Sequence, residues 1–277
     1  MYGLLRKALM QKPYLRHMPE LPEVHGYQVY LDSTSLHQKI VTFDCRDAKL
    51  LKKSRSEFEK YLVGQSLTET QRIGKYLFVK TDGDKVLVMH FGMTGRPKYY
   101  KDADDRPKFG HIVLSFDNGF HFAFENKRKF GWWDLADTIE EYKEQVGLSD
   151  DARELSLEDF KASLSNRKTD IKKVLMDQGV AAGVGNWMAD EILYQAKTHP
   201  EKRIEDMDDA AIETVFDAMK KVIEVAIEHD AHYSDFPKDF LMHFRKEGAE
   251  CHHTGCKIEK IKVGGRTTYF SPEWQEL

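Results

Sequence analysis

Between Asp134 and Phe160 the chain changes both its charge and its periodicity. Asp134, Asp137, Glu140, Glu141, Glu144, Asp150, Asp151, Glu154, Glu158 and Asp159 stand there against only Lys143 and Arg153. A block of one sign resists burial, so it reads as a solvated connection between two parts. Before it lie short apolar runs separated by turn signals: Ile40 to Phe43, Tyr76 to Lys80, Val86 to His90, His111 to Phe116 and Phe120 to Phe124. Thr81-Asp82-Gly83-Asp84 and Asp117-Asn118-Gly119 punctuate them, and Asn118-Gly119 marks a hairpin. These runs predict an antiparallel sandwich or barrel, preceded by a helix from Pro22 to about Leu36 with Val24, Tyr27 and Leu31 on one face. After the block the period lengthens. Ile171 to Asp177, Trp187 to Ala196 and Asp208 to His229 read as helices, with Gly179 and Gly183-Val184-Gly185 as caps or turns. Lys257 to Phe270 reads as a hairpin turning at Gly264-Gly265. The chain is therefore an α+β, multidomain protein.

With 42 Lys and Arg against 46 Asp and Glu in 277 residues, the net charge is −4, which excludes a chain that coats nucleic acid by bulk charge but not a local basic patch. At 41% hydrophobic residues the chain supports one large core or two modest ones, and disordered and collagen-like classes are excluded. No apolar run reaches the ~18 to 20 residues of a membrane span. Cys45, Cys251 and Cys256 are odd in number, which suggests a reducing compartment, bacterial cytoplasm by default, and at most a metal site.

Residues 1–18 carry Arg6, Lys7, Lys12 and Arg16 with no acidic residue and no secretory apolar segment, and a second methionine, Met18, precedes Pro19-Glu20-Leu21-Pro22-Glu23-Val24. An upstream start, a short presequence and a basic arm all remain open; the expectation is a mis-assigned or removed extension. Were Met18 the initiator, its removal would expose Pro19 as a secondary amine. An α-amine has a reference pKa of about 7.7 to 8.0, so part of it is neutral and nucleophilic near neutral pH. Attack on a sugar anomeric carbon gives an iminium, an electron sink that labilises the adjacent C–H bond and permits elimination. Glu20 next door is positioned to shuttle protons. The plain alternative is that these six residues merely start a helix.

The N-terminal motif resembles that of the formamidopyrimidine-DNA glycosylase and endonuclease VIII family. The likeness extends through Gly74-Lys75-Tyr76-Leu77, His90-Phe91-Gly92-Met93-Thr94-Gly95, Lys127-Arg128-Lys129-Phe130-Gly131, Gly183 to Leu193, and Gly265-Arg266-Thr267-Thr268-Tyr269-Phe270. Six ordered motifs covering nearly everything from Pro19 onward are specific where one would be weak. The resemblance implies an N-terminal β-sandwich with a leading helix, then a helix-two-turn-helix domain ending in a β-hairpin, with DNA running across the cleft between domains. The expected divisions are 19–136, an acidic linker 137–158, 159–250 and a hairpin 251–277.

By the same resemblance Pro19 is the Schiff-base nucleophile, Glu20 its acid/base partner and Lys75 a catalytic contact to the phosphate beside the lesion. Glu23 joins the substrate-facing residues, and His90 and Arg266 reach phosphates. Asn186 opens a helix after a Gly-rich turn, where its side chain and neighbouring amides suit a phosphate oxygen, although a simple N-cap would also place Asn there. Glu191 matches a carboxylate that supports the active site. Met93, Arg128 and Phe130 match residues that fill the gap left by an everted nucleotide, where inserted side chains offset lost stacking. Taken alone, Met93 and Phe130 would be read as core.

The sequence departs from the family at two places. Cys251 and Cys256 stand where a first zinc-binding pair is expected, with four residues between them, but Ser271 and Trp274 replace the second pair. A structural zinc needs four ligands, so the expectation is a zincless finger with no cofactor, Cys251 and Cys256 being weak metal candidates. The compact stretch from His229 to Glu250 argues against recognition of 8-oxoguanine and leaves ring-opened formamidopyrimidines or oxidised pyrimidines. The expected function is a monomeric, bifunctional DNA glycosylase and abasic-site lyase of base-excision repair, acting on double-stranded DNA with damaged bases or abasic sites, with no membrane association. It would cleave by β,δ-elimination. The alternatives are a damaged-DNA-binding protein without chemistry, if Pro19 is internal, and a Schiff-base enzyme using Lys75.

Overall fold

The structure, a computed structural model, describes residues 18–277. The expected extension therefore lies, but for Met18, outside the described residues. The chain forms two compact units: residues 20–22 belong with 147–277, and residues 23–146 make up the body of the other. Among the described residues no helix is long and apolar enough to cross a membrane.

Helix α1 (Leu21–Thr34) belongs to the first unit from Glu23 onward and is followed there by β1 (Ile40–Cys45) and α2 (Arg55–Leu62). Then come β2 (Leu67–Ile73), β3 (Tyr76–Thr81), β4 (Val86–His90), β5 (Gly95–Tyr100), β6 (Gly110–Phe116), β7 (His121–Asn126), β8 (Trp132–Ala136) and α3 (Ile139–Val146). Two four-stranded antiparallel sheets result, in the orders β1-β6-β7-β5 and β2-β3-β4-β8. One apolar core lies between them. Trp133 of β8 meets Phe43 of β1 at 6.5 Å and Phe124 of β7 at 5.8 Å, and Val24, Tyr27 and Leu31 of α1 join the same core. The hairpin at Asn118-Gly119 forms as its sequence dictates, with Gly119 at φ 78°.

Three strands escape the sequence pattern. β5 contains Pro97, which argues against a strand, but β5 is an edge strand, where a missing N–H is tolerated. β2 and β8 occupy the edges of the other sheet. The acidic stretch read as a linker is folded. α3 lies within it, with Ile139 and Tyr142 buried, and the unit boundary falls at Val146/Gly147. Beyond the boundary Leu148, Ala152 and Leu155 are buried, so the charges occupy the solvent faces of ordered chain.

The second unit contains α4 (Leu157–Leu164), α5 (Ile171–Leu175), α6 (Asn186–Gln195), α7 (Asp209–Glu228) and the hairpin of β9 (Glu259–Val263) and β10 (Arg266–Phe270). Asp208 caps α7 by accepting from Ala211 N at 2.8 Å. Phe160, Val174, Met188, Ile192, Phe216, Met219 and Ile223 build one core from all four helices. Tyr233, Phe236 and Phe240 of the compact stretch after α7 are buried in that core, packed on Trp187 and on one another.

Candidate active site

Glu20 is where the second unit grips the chain ahead of α1. Its carboxylate accepts hydrogen bonds from Gly185 N (2.8 Å), Trp187 N (3.0 Å) and Met188 N (3.2 Å). The first amides of a helix have no internal partners and carry its positive dipole end, so an anion is held there by geometry and by field. Gly185 is the N-cap of α6, and a Cβ built on it would lie 2.2 Å from the Glu20 carboxyl carbon. The glycine is thus required for space. Gly183 O accepts from Leu21 N at 3.1 Å, tying the following residue to the same turn.

Two expectations about Asn186 change as a result. It is the first helical residue and not the cap, and the amides of residues 185, 187 and 188 serve Glu20 rather than a phosphate. The Asn186 side chain turns to the hairpin: Nδ2 donates to Thr267 O (2.9 Å) and Oδ1 accepts from Lys172 Nζ (2.9 Å). One amide hydrogen of Asn186 is left over after these bonds. Arg266 is exposed at the start of β10, one residue from that contact.

Lys75 sits in the tight turn between β2 and β3, after Gly74 at φ 58°. Adjacent strands bring Tyr76, His90 and Trp132 into one row, with the His90 ring stacked on Trp132 at 5.2 Å and 16°. Burial first, then the charges of Lys75 and Lys52, hold the His90 imidazole down to about 4, so the ring is neutral at physiological pH. Gly92 N donates to His90 Nδ1 at 3.3 Å, which puts the ring proton on Nε2 as a donor. Glu23 is buried in the first turn of α1.

Met93, Arg128 and Phe130 stand on two adjoining turns. Thr94 Oγ1 accepts from Arg128 N (3.0 Å) and donates to Asn126 Oδ1 (3.1 Å), and Asn126 Oδ1 also accepts from Lys129 N. Gly92, at φ 59°, allows the close approach: a Cβ there would meet the Phe130 carbonyl carbon at 2.4 Å. Phe130 is 56% exposed, with the Arg128 guanidinium 5.1 Å from its ring centre, and Met93 is half-buried. Phe130 is therefore not a core residue.

Glu191 faces elsewhere in the second unit. Fully buried, it accepts from Gln195 Nε2 (3.0 Å), Leu241 N (3.0 Å) and Met242 N (2.9 Å), so it holds the turn at 241–243. Burial pushes its carboxyl up to about 7 against those three donors. Sequence reasoning missed Lys172 and Asp190, both without solvent exposure. Their charges in an otherwise apolar helical pattern were the available signal.

The thiols at the hairpin base are engaged with neighbouring hydroxyls. Cys251 Sγ bonds with Tyr194 OH (3.2 Å) and Cys256 Sγ with Ser271 Oγ (3.1 Å). Trp274 stacks on His253 at 3.9 Å and donates to Tyr194 O. Among the described residues no group of three or more His, Cys, Asp or Glu is arranged to hold a metal ion.

Residues 18–133 match the formamidopyrimidine-DNA glycosylase N-terminal domain, and residues 146–238 match that family's H2TH domain. A formamidopyrimidine-DNA glycosylase of Streptococcus pneumoniae is 33% identical over 273 residues, covering 93% of this chain and 99% of that protein. One of Arabidopsis thaliana is 33% identical over 278 residues, 94% of this chain and 71% of that protein. Among solved structures, the Lactococcus lactis enzyme bound non-covalently to DNA containing an abasic site aligns with a TM-score of 0.85 at 27% identity, covering 93% of this chain and all of that one. A MutM complex with DNA containing carbocyclic 8-oxo-G aligns equally well, covering 94% of this chain. With both domains matched in order and the Streptococcus pneumoniae relative covered nearly end to end at 33% identity, the chain belongs to the formamidopyrimidine-DNA glycosylase family.

Proposed function

We propose that Pro19 is the nucleophile with which this DNA glycosylase and abasic-site lyase performs base-excision repair on double-stranded DNA carrying damaged bases or abasic sites, in the bacterial cytoplasm. The fixing of Glu20 carries this reading. Three amides at one helix N-terminus hold the carboxylate beside Pro19, an arrangement that a mere helix start does not need. As a terminal secondary amine, Pro19 attacks C1′ of the damaged nucleotide and the C1′–N bond breaks, the base leaving with its bonding pair. Sugar-ring opening gives the iminium on Pro19, and Glu20 handles the proton on the ring oxygen. Loss of a C2′ proton expels the 3′ phosphate, a second elimination expels the 5′ phosphate, and hydrolysis of the iminium frees Pro19.

Each unit contributes phosphate contacts: Lys75 as a point charge and His90 as a neutral Nε2–H donor in the first, Asn186 and Arg266 in the second. Exposed Phe130 wedges into the stack, with Arg128 and Met93 beside it, once the damaged nucleotide is everted. Glu23 supports the start of α1, and Glu191 acts at a remove by holding the 241–243 turn. The hairpin works without zinc, its base packed by Trp274 and the two thiols. The buried aromatics of 233–240 favour ring-opened formamidopyrimidines or oxidised pyrimidines as lesions, since they are committed to the core.

Borohydride reduction of protein mixed with an abasic-site duplex tests the mechanism. A covalent adduct on a peptide beginning at Pro19 is expected, and intact mass should give a chain starting there. An adduct at Lys75 would overturn the proline mechanism, and binding without any adduct would leave a damage-binding protein.

A further inference from the structure

Lys172, Asp190 and Arg245 form an ion network in the second unit that the proposed chemistry does not use. Asp190 Oδ1 accepts from Lys172 Nζ at 2.5 Å, and Oδ2 accepts from Arg245 Nη2 at 2.6 Å, Arg245 Nε at 2.8 Å and Tyr269 N at 3.3 Å. Lys172 spends its remaining two protons on Asn186 Oδ1 (2.9 Å) and Thr268 Oγ1 (2.6 Å), so all three of its donors are committed. Asn186 in turn donates to Thr267 O. One carboxylate on α6 thereby fixes the side chain of Asn186 and three consecutive residues of β10, immediately after Arg266.

Such a network is a poor way to gain stability. Two charges without solvent exposure carry a desolvation cost that apolar residues of the same volume would avoid, and burial indeed holds the Lys172 ammonium below its ordinary value. What it does supply is register. A two-stranded hairpin is marginal alone. Packing by apolar side chains would tolerate sliding of β10 along α6, whereas a carboxylate gripping a backbone amide and a lysine at once does not.

We infer that Asp190 is a positioning residue for phosphate binding: through Lys172 and the amide of Tyr269 it sets Asn186 and Arg266 at the spacing of one DNA phosphate backbone. The inference rests on the phosphate-binding reading of those two residues. The test measures affinity of the full chain for a duplex containing a tetrahydrofuran abasic analogue across a salt series, for Asp190→Asn, Arg266→Ala and the double variant. Asp190→Asn should weaken binding by about tenfold or more and lower the log–log salt slope by about one, as the Arg266 phosphate contact is lost. The double variant should bind little worse than the weaker single one, because both remove the same contact. Additive losses, or an unchanged salt slope, would overturn the inference.

Asp190→Asn leaves two cations facing a neutral amide, so thermal unfolding must accompany it. If that variant does not fold, Arg245→Met, at the partly buried end of the network, replaces it in the same cycle, with Arg245→Lys restoring part of the affinity. Additivity there overturns the inference equally. Borohydride trapping separates this test from the catalytic proposal: no adduct at Pro19 with a non-additive cycle removes the chemistry but keeps Asp190, and the reverse pattern does the opposite.

Discussion

Glu20 shows how a motif proposed to be catalytic can be legible while its support is hidden. The Pro19-Glu20 pair is apparent from chain order alone, but the partners of the carboxylate lie about 165 residues away, at the glycine-rich turn before α6. That turn was equally readable as a phosphate nest, because both a bound anion and a buried carboxylate need bare amides at a helix N-terminus. Gly185→Ala tests the difference. Its Cβ would collide with the carboxylate, so the variant should lose about 1–3 kcal/mol of stability by overpacking and on the order of 100-fold in single-turnover excision from misplacement of Glu20. Full activity in this variant would show that Glu20 need not stay on α6. Glu191 is a second residue whose role is set by burial. Its folded value of about 7 exceeds the ordinary 4.5, so the native state holds a proton there that the unfolded chain has released. Stability from this group is therefore complete below about pH 4.5 and falls as pH rises to about 7, by up to about 1.4 kcal/mol per unit. Urea unfolding at pH 5, 6, 7 and 8 should show that slope lessened in Glu191→Gln, over a constant offset from the altered bonds to Leu241 and Met242. An identical slope in both proteins would mean that Glu191 stays ionised.

At the scale of elements, the parts that were legible are those whose pattern is set locally. Val86–His90 is buried on both faces and reads as a continuous apolar run, α7 has both periodicity and an Asp208 cap, and the Gly264-Gly265 turn dictates the β9–β10 hairpin. α2 was missed although it has a reciprocal cap. Ser54 Oγ accepts from Glu57 N, and Glu57 Oε2 accepts from Ser54 N at 2.9 Å, but eight residues, half of them charged, give too short a stripe to register. Ser54→Ala should cost about 1 kcal/mol in urea unfolding and leave excision unchanged. Phe130 carries the opposite prediction. Its turn is held by Thr94 and Asn126, and its ring stands in solvent, so Phe130→Ala should shift stability by no more than about 0.5 kcal/mol. Excision from a fully paired duplex should nevertheless fall by on the order of tenfold, because the stacking lost on base eversion is no longer offset. A stability loss of several kcal/mol would return Phe130 to the core.

For the whole molecule, the change of periodicity at the acidic stretch marked two units, but charge alone could not show that this stretch is folded. Ile139, Tyr142, Leu148 and Leu155 are buried between the carboxylates, at spacings too sparse to stand out against ten acidic residues. Zinc poses the same problem in reverse, since Cys251 and Cys256 match one pair of the four-ligand pattern that the family resemblance implies, while Ser271 and Trp274 stand at the positions of the other. Ser271 bonds with Cys256, and Trp274 stacks on His253 with the Lys197 ammonium 4.2 Å from its ring centre. Packing of this kind holds the hairpin base by contacts that a chelator cannot remove. Prolonged dialysis against a strong zinc chelator should therefore leave the melting temperature and the borohydride-trapping rate unchanged, and elemental analysis should find well under one zinc per chain. Trp274→Ala should instead lower the melting temperature by several degrees and weaken binding to the abasic duplex, since the loss of a large ring at that position opens the base of the hairpin that carries Arg266. Stoichiometric zinc, with chelation reproducing the Trp274→Ala phenotype, would mean that the two thiols recruit ligands which this arrangement of side chains does not provide.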